Sequence, residues 1–559
     1  MNQFNSSLWP IAWALLLSVG WVLPNHYPPW TTFHQDAWVA GVCALAATVA
    51  VLLPPPRTPV YGMALVAGVL VLIPGLQFFA GLLTSAGNTW VCTAYLLGFF
   101  LALLTGARWE STSAGRLADA LFLAIGAAAV LSVGLQMHQW LQLERLDIWS
   151  MGGGIGRPYA NFGQPNQLAT LLLWGVLAAA WAFERRRIGG FTAIFLSAYL
   201  LFGVALTASR TAWVGIALLV AGAWLWRRLW SDARLPWAAL ALAGFLVVCV
   251  LATGWLNQVY WGNPSDEFAK IARVSGESRP AIWMLFLDAA MQRPWFGYGW
   301  NQVGLAHLAV ALDHPPLLVN FSQAHNLFLD LLLWAGLPLG IAVSLWLLWW
   351  FFRRLHEIDG AENALLMLLL IVVANHAMLE LPLHHAYFLL PVGLVMGMLD
   401  VRLGTRPMLT VSRWVTVSVW LAAVVLLSMI VRDYSAVEPA YRTLRFQWAS
   451  IKSPPVESLD DVVLLTQWRD FIRLTRLEPK AGMSEAELQW MRNVTGLNRS
   501  AGSIKALATA LALNKHPEEA ALWLRRLCQS ASVYQCGTVK SAWAVQAASE
   551  PRIAAVPWP

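Results

Sequence analysis

The side chains able to do chemistry in this 559-residue chain fall into five short stretches. The first is Gly156-Arg157-Pro158-Tyr159-Ala160-Asn161-Phe162-Gly163-Gln164-Pro165-Asn166-Gln167-Leu168-Ala169, where four amides (Asn161, Gln164, Asn166, Gln167) stand just ahead of an apolar run. Amides placed there can orient sugar hydroxyls or a peptide backbone, or they can satisfy the free N–H groups where the helix begins. The second, Ser209-Arg210-Thr211, sets a lone arginine in an apolar hairpin, a costly position unless the charge is paired, functional or able to reach lipid headgroups. The third, Ser275-Gly276-Glu277-Ser278-Arg279-Pro280-Ala281-Ile282-Trp283, puts Arg279 ahead of an amphipathic segment, with Arg293-Pro294-Trp295-Phe296-Gly297-Tyr298-Gly299-Trp300 following it. The guanidinium groups of Arg210 and Arg279 can each bind phosphate oxygens in bidentate fashion; the bland alternative for Arg279 is a loop salt bridge with Glu277 or Asp266. The fourth, Gln323-Ala324-His325-Asn326-Leu327-Phe328-Leu329-Asp330, offers an imidazole that can take a proton from an attacking hydroxyl or simply hold its loop. The fifth, Glu380-Leu381-Pro382-Leu383-His384-His385-Ala386-Tyr387-Phe388, gathers an acid, two imidazoles and a phenol. A third ligand at metal-site spacing from His384 and His385 is missing, so no metal is expected. The glycines of Gly152-Gly153-Gly154-Ile155-Gly156 follow no strand and read as a flexible loop rather than a nucleotide cradle.

These stretches must be positioned by membrane helices. Hydrophobic residues make up 58% of the chain and charged residues 12%, about half the charged share of an ordinary soluble domain. That excludes soluble enzymes, secreted disulfide scaffolds and disordered chains, and the long uninterrupted apolar runs speak against the alternating segments of a β-barrel. The formal charge of +7 reads as membrane topology and affinity for anionic groups, with no nucleic acid expected as a partner, and the 33 Trp suit membrane interfaces. The expected fold is therefore all-α and polytopic, with about 13 spans: 8–23, 36–53, 62–83, 89–106, 117–137, 166–183, 190–208, 211–226, 236–255, 327–352, 362–379, 386–400 and 414–431. One set of connections carries Arg57, Arg108, Arg116, Arg185–Arg187, Arg227, Arg228, Arg234, Arg353, Arg354, Arg402, Arg406 and Arg413, whereas 24–35 and 84–88 on the other side carry no Lys or Arg. The basic set is taken as cytoplasmic, which puts the N-terminus inside and the C-terminus outside. All five chemical stretches then lie at the outer face.

The outer segments 138–165, 256–326 and 432–559 are long enough to carry function of their own. Residues 1–431 form the membrane domain, with 256–326 as its large outer loop, and 432–559 an outer helical domain. Within that domain, amphipathic segments near 456–476, 484–496, 500–513, 516–528 and 532–546 suggest a TPR-like succession of short helices. Cys43, Cys92 and Cys249 sit in apolar runs, whereas Cys528 and Cys536 lie close together in the polar tail. In an oxidising compartment the latter two can form a disulfide; otherwise they are two free thiols.

The chain resembles the bacterial protein O-oligosaccharyltransferases of the PglL type, within the superfamily of O-antigen ligases and Wzy polymerases. The resemblance runs through Asn25-His26-Tyr27-Pro28-Pro29-Trp30-Thr31-Thr32-Phe33-His34, residues 156–169, Ser209-Arg210-Thr211, the 275–326 loop and the 432–559 tail. It implies a multi-pass protein of the bacterial inner membrane whose outer face is periplasmic. It further implies a preassembled oligosaccharide on undecaprenyl diphosphate as donor, Ser or Thr of a protein (often a pilin) as acceptor, and no cofactor, metal or nucleotide. By the same resemblance His325 is the essential imidazole, Arg210 and Arg279 bind the donor diphosphate, and Gln164 and Tyr387 are further active-site positions. Asn166 and Glu380 join them as candidates from the residues alone. His384-His385 beside Tyr387 departs from the family pattern.

Four rivals share parts of this pattern, one of them a Wzy polymerase, whose acceptor is another glycan. An O-antigen ligase uses the same donor but glycosylates lipid A core, and the 25–34 and 156–169 segments and the tail argue against it. A transporter or flippase would carry polar residues at mid-membrane, whereas the polar residues here gather at one face. A membrane scaffold would not need arginine and histidine clustered at a single leaflet.

Overall fold

The computed structural model describes residues 8–52, 57–143, 148–150, 157–261, 279–453, 455 and 458–558. Asp266, Glu277 and the glycines at 152–156 lie outside the described residues. The chain divides into two compact units, Met1–Val69 with Tyr95–Glu277 and Trp346–Leu427, and Leu70–Ala94 with Ser278–Leu345 and Ser428–Pro559.

The first unit is a bundle of apolar helices. Among the described residues of the whole chain, nine helices are long and apolar enough to cross a bilayer, from Phe33–Val51 to Arg413–Trp448. Every one of the thirteen expected spans holds helix, but Leu8–Val22, Arg210–Leu225, Ala361–Ala377 and Ala386–Arg402 are shorter, at 15 to 17 residues. The stretch expected as a single span over 62–83 is instead two helices, Gly62–Leu70 and Ile73–Phe79. Pro74 sits in the first turn of the second, where its missing N–H is harmless; inside one continuous helix it would remove a hydrogen bond and clash with the preceding turn. Helix Pro165–Glu184 is the centre of the bundle, packed against Arg116–Trp140, Gly190–Thr207 and Ala361–Ala377, with Trp174 wholly buried.

One departure from an all-α fold is a two-stranded antiparallel ribbon that pairs Arg57–Val60 with Leu409–Ser412. Both strands lie in connections and carry β-branched residues, Thr58 and Val60 in one and Thr410 and Val411 in the other, in runs too short to register against the helical hydropathy around them. The ribbon joins two of the basic connections, and ion pairs join others. Arg402 binds Glu362 at 2.8 Å, Arg185 binds Glu362 at 2.8 Å and Asp119 at 3.1 Å, and the buried Arg354 binds Asp400 at 3.0 Å. The basic connections of this unit thus gather at one end of the bundle.

The second unit contains helices Arg279–Gln292 and Val303–Val310 and the segments after 428. The aromatic run 293–300 folds against a break in helix Leu327–His356. Gly336 there has φ +78°, and a Cβ at this residue would come within 2.3 Å of the Trp295 carbonyl oxygen, so only glycine fits. The freed backbone groups are used: Leu337 N–H donates to the Pro294 carbonyl at 2.6 Å, and Tyr298 N–H to the Leu333 carbonyl at 2.7 Å.

The tail forms helices Thr466–Arg476, Glu485–Leu497, Ala501–Leu513, Pro517–Ser530 and Val533–Ala547. The segment expected to be helical from 456 becomes so only at Thr466. Capping boxes start two of these helices, Ser484 with Glu487 and Ser532 with Gln535. Their apolar stripes, Leu488, Met491, Ile504, Leu507, Leu511, Leu524 and Leu527, form one core that also takes in Leu308. Cys528 and Cys536 are bonded to each other, tying the end of Pro517–Ser530 to the start of Val533–Ala547. Closing a loop of eight residues' separation contributes about 2–3 kcal/mol in the chain-entropy account. Cys528→Ser with Cys536→Ser, or reduction of the native protein, is expected to lower tail stability by about that amount. Denaturant unfolding with and without reductant measures it, and coincident curves would show the bridge to be energetically idle.

Candidate active site

In the first unit, the amide-bearing segment, the arginine hairpin and the 380–387 turn meet at one end of the bundle. Gln164 occupies the N-cap position of Pro165–Glu184 with extended backbone, yet its side chain makes no cap hydrogen bond, so capping does not explain it. Asn166 bridges the other two segments: its Nδ2 donates to Glu380 Oε1 at 3.3 Å, and its Oδ1 accepts from Ser209 Oγ at 2.7 Å. Ser209 in turn caps helix Arg210–Leu225 by accepting from the Ala212 N–H at 3.3 Å. This fixes Arg210 as the first residue of that helix, where its side chain is exposed. Asn375 Nδ2 donates to the Thr211 carbonyl at 3.0 Å and so ties the hairpin to helix Ala361–Ala377.

Gln167, one turn inward, is the hub of the cluster. Its Oε1 accepts from the Tyr387 hydroxyl at 3.0 Å, and its Nε2 lies 2.8 Å from His385 Nε2. An amide nitrogen only donates, so His385 accepts at Nε2. The His385 ring stacks on Tyr387 with centroids 5.1 Å apart. Tyr387 is fully buried, with Phe162 edge-on at 6.0 Å, and its carbonyl accepts from Trp21 Nε1 at 3.1 Å. Asn161 Nδ2 donates to the Trp21 carbonyl at 2.6 Å, which brings the 156–169 segment onto the first helix. A second inward pair, Thr170 Oγ1 with His376 Nδ1 at 2.8 Å, is also buried.

The start of the helix that carries Tyr387 is held by a residue from elsewhere in the chain. Asp36, buried in helix Phe33–Leu52, accepts from the Ala386 N–H at 2.6 Å, from Thr32 Oγ1 at 2.7 Å and from the Tyr95 hydroxyl at 2.9 Å. It does for helix Ala386–Arg402 what an N-cap residue normally does from within the chain.

His325 and Arg279 belong to the second unit. His325 has φ +54°, the left-handed region that a residue with a Cβ enters at a cost. Its neighbours hold it there. Ala324 N–H donates to Asp330 Oδ1 at 2.8 Å, and Asn326 Oδ1 caps the following helix by accepting from Phe328 and Leu329 N–H at 3.1 and 3.2 Å. The imidazole meets Phe321 edge-on at 6.1 Å, and Phe321 packs in turn on His307 at 5.4 Å. Arg279 begins helix Arg279–Gln292.

The structure therefore places two hydrogen-bonded sets on neighbouring residues of one helix, Asn166 with Glu380 and Ser209, and Gln167 with Tyr387 and His385, with Gln164 and Arg210 adjoining them in sequence; it locates His325 and Arg279 in the other unit. Asp36 with Thr32 and Tyr95, and the pair Thr170 and His376, are further polar contacts that sequence reasoning passed over. Their signal was present, because an acid or imidazole within an apolar span asks for a partner, but the partners lie up to 350 residues away.

Residues 158–183 match the protein glycosylation ligase family, residues 195–344 the O-antigen ligase family, and residues 364–530 the C-terminal region of the virulence factor membrane-bound polymerases. These matches define a class, membrane-bound enzymes of glycosyl transfer. A general O-oligosaccharyltransferase of Acinetobacter baylyi is 32% identical over 528 residues, covering 91% of this chain and 89% of the relative. A ComP-specific O-oligosaccharyltransferase of the same organism is 31% identical over 243 residues, 43% of this chain and 44% of the relative. The chain belongs to the PglL-type O-oligosaccharyltransferase family.

Two predictions follow from these contacts. Asp36→Ala leaves the Ala386 N–H and two hydroxyls without their buried acceptor and is expected to destabilise the first unit by about 3 kcal/mol, whereas Asp36→Asn keeps an acceptor and costs about 1 kcal/mol or less. Thermal melts of the two purified variants in nanodiscs should separate them; equal midpoints would deny Asp36 its capping role. In the second unit, burial pushes the His307 imidazole down to about 4, with the Arg499 guanidinium adding to the effect. A folded value below the unfolded one favours the neutral ring, so this contribution is complete above about pH 6.5 and is lost as pH falls from there toward 4. Stability should drop by about 3 kcal/mol across that window, and His307→Gln should flatten the profile. Denaturant midpoints at pH 7.5 and 4.5 test it.

Proposed function

We propose that this protein transfers a preassembled oligosaccharide en bloc from undecaprenyl diphosphate to a Ser or Thr hydroxyl of a periplasmic protein, with pilins among the acceptors. The single observation carrying this reading is the convergence of the 156–169, 209–211 and 380–387 segments on the neighbouring residues Asn166 and Gln167, in a chain that matches a general O-oligosaccharyltransferase along nearly its whole length. The ComP-specific relative supports a protein acceptor. In this reading the protein is a multi-pass component of the bacterial inner membrane. Its N-terminus is cytoplasmic, residues 1–431 form the membrane domain with 256–326 as a periplasmic loop, and 432–559 form a periplasmic helical domain that provides an oxidising setting for the Cys528–Cys536 bridge.

The chemistry is a displacement at the anomeric carbon. The acceptor oxygen forms the new C–O bond, the bond to the diphosphate oxygen breaks, and direct in-line attack inverts the anomeric centre. The donor is already activated, so neither metal nor nucleotide is called for. What must be managed is the acceptor proton and the charge on the departing undecaprenyl diphosphate. His325 takes that proton, and Arg210 and Arg279 stabilise the diphosphate. Gln164 and Asn166 orient sugar hydroxyls, with Glu380 holding Asn166 and the buried Tyr387 holding Gln167 behind them. The O-antigen ligase match to 195–344 keeps one rival in view, transfer of the same donor's glycan to lipid A core.

Wild type and His325→Ala are to be compared in a host that lacks its own ligase and supplies a lipid-linked glycan and candidate acceptor proteins. Glycan on Ser or Thr of a protein, reduced about 10²-fold or more in His325→Ala with folding intact, is the expected result. Glycan on lipid A core alone would make the protein a ligase, and full activity in His325→Ala would remove the imidazole from the mechanism. Arg279→Ala is expected to raise the KM for the lipid donor, and unchanged donor kinetics would refute the diphosphate role.

A further inference from the structure

The segment that ends in His325 is held from the C-terminal part of the chain. Arg499, in the turn between helices Glu485–Leu497 and Ala501–Leu513, donates from Nη2 to the Phe321 carbonyl at 2.7 Å, and its Nη1 lies 3.3 Å from His307 Nδ1. Its own carbonyl accepts from Asn320 Nδ2 at 3.2 Å. Thirty residues further on, the Gln529 carbonyl accepts from the Leu318 N–H at 3.2 Å. Residues 318, 320 and 321 are therefore each fastened to the tail. The Phe321 ring, fixed at its backbone by Arg499, lies against both His307 and His325.

The chemistry of this contact is unusual for a purely structural one. A guanidinium carried inward normally meets a carboxylate, because a buried cation on neutral partners keeps much of its desolvation cost. The partners here are a carbonyl oxygen and an imidazole nitrogen, and Arg499 Nε is buried with no hydrogen bond. Space has been left for the group. Gly304, on helix Val303–Val310, passes so close that a Cβ would come within 2.5 Å of Arg499 Nη2. Such an arrangement stabilises the fold poorly but defines the path of residues 318–325 closely.

We propose that Arg499 is a positioning residue for His325, and that the C-terminal helices serve the transfer reaction by fixing the loop that carries the imidazole. The inference rests on the reading of His325 as the proton acceptor. Arg499 acts through Phe321, four residues before the imidazole, and Asp330 and Asn326 complete the restraint from the following helix. The tail is then part of the catalytic apparatus.

The test uses full-length protein in nanodiscs, an undecaprenyl-diphosphate-linked oligosaccharide and an acceptor protein that wild type glycosylates. Arg499→Met is expected to lower kcat about tenfold or more with donor KM within about twofold, since positioning acts on the transition state rather than on donor binding. Arg499→Lys, which restores one donor, should recover part of that loss, and amide exchange over 318–326 should speed up in the Met variant. Gly304→Ala is the second arm. Alanine favours the helix it sits in, yet its methyl displaces the guanidinium, so kcat should fall about three- to tenfold without loss of thermal stability. This variant decides the matter if Arg499→Met does not fold. Wild-type kcat in Gly304→Ala and in any folded Arg499→Met, beside an inactive His325→Ala, overturns the inference alone. Full activity in His325→Ala overturns the underlying reading and the inference with it.

Discussion

The constraint that organises the first unit is the burial of polar side chains among apolar helices. A buried amide, carboxylate or hydroxyl there has to find its partner within the chain. Gln167 shows the consequence. Both ends of its side chain are used, one by Tyr387 and one by His385, and this double bond sets the register between helix Pro165–Glu184 and helix Ala386–Arg402. Asp36 extends the same logic to backbone, supplying from a third helix the acceptor that the first N–H of the Tyr387 helix lacks locally. The neighbouring Asn166 binds both Ser209 and Glu380 and so ties the hairpin that carries Arg210 to the 380–387 turn. A polar network satisfied this fully is rigid, and rigidity is what a site needs if its dipoles are to be in place before charge develops.

The other end of the bundle obeys a different rule. There the polar groups are charges in pairs, with Arg185 and Arg402 sharing Glu362, and Arg354 on Asp400. Ion pairs of this kind hold connections together and suit a face rich in arginine, but they offer no set of neutral donors and acceptors to a sugar. The two ends of one bundle thus differ: at one, side-chain amides bond a phenol, an imidazole, a serine hydroxyl and a carboxylate, and at the other guanidinium groups pair with carboxylates. That difference, more than any single residue, favours catalysis at one face over passage through the middle, where a transporter would need its polar groups.

Much of this was legible in the sequence. Hydropathy located helix in all thirteen apolar stretches, because burial in lipid demands long apolar runs whatever the tertiary contacts. The tail helices were legible from their amphipathic stripes and from Pro517 after Asn514-Lys515-His516, which starts a helix where the chain has just turned. The partners were not legible. The sequence singles out Gln164 as readily as Gln167, and only the fold shows that Gln167 faces Tyr387. Asp36 was visible as an acid in an apolar span, but the N–H it accepts from belongs to Ala386. The ribbon of Arg57–Val60 with Leu409–Ser412 escaped because its strands are four residues each, too short for a period of two to show. The aromatic run at 293–300 attracted attention as chemistry. Its role is steric and conformational, since it supplies backbone partners to the break at Gly336.

His325 unites the energetic and functional sides of the problem. A left-handed histidine is about 1 kcal/mol or more above its relaxed backbone and would spring back if its neighbours allowed it. The chain prevents this from both directions, with Asp330 and Asn326 restraining it from the helix that follows and Phe321 fixed through Arg499 from the tail. Each of those restraints lies within one compact unit. In the proposed reaction the donor is already activated, and besides the charge on the leaving diphosphate the demand that falls on His325 is to remove one proton at the right moment and in the right direction. On the reading proposed above, a base held in a conformation that it would not adopt unaided meets that requirement better than a flexible one, and the helical tail contributes to holding it through Arg499 and Phe321.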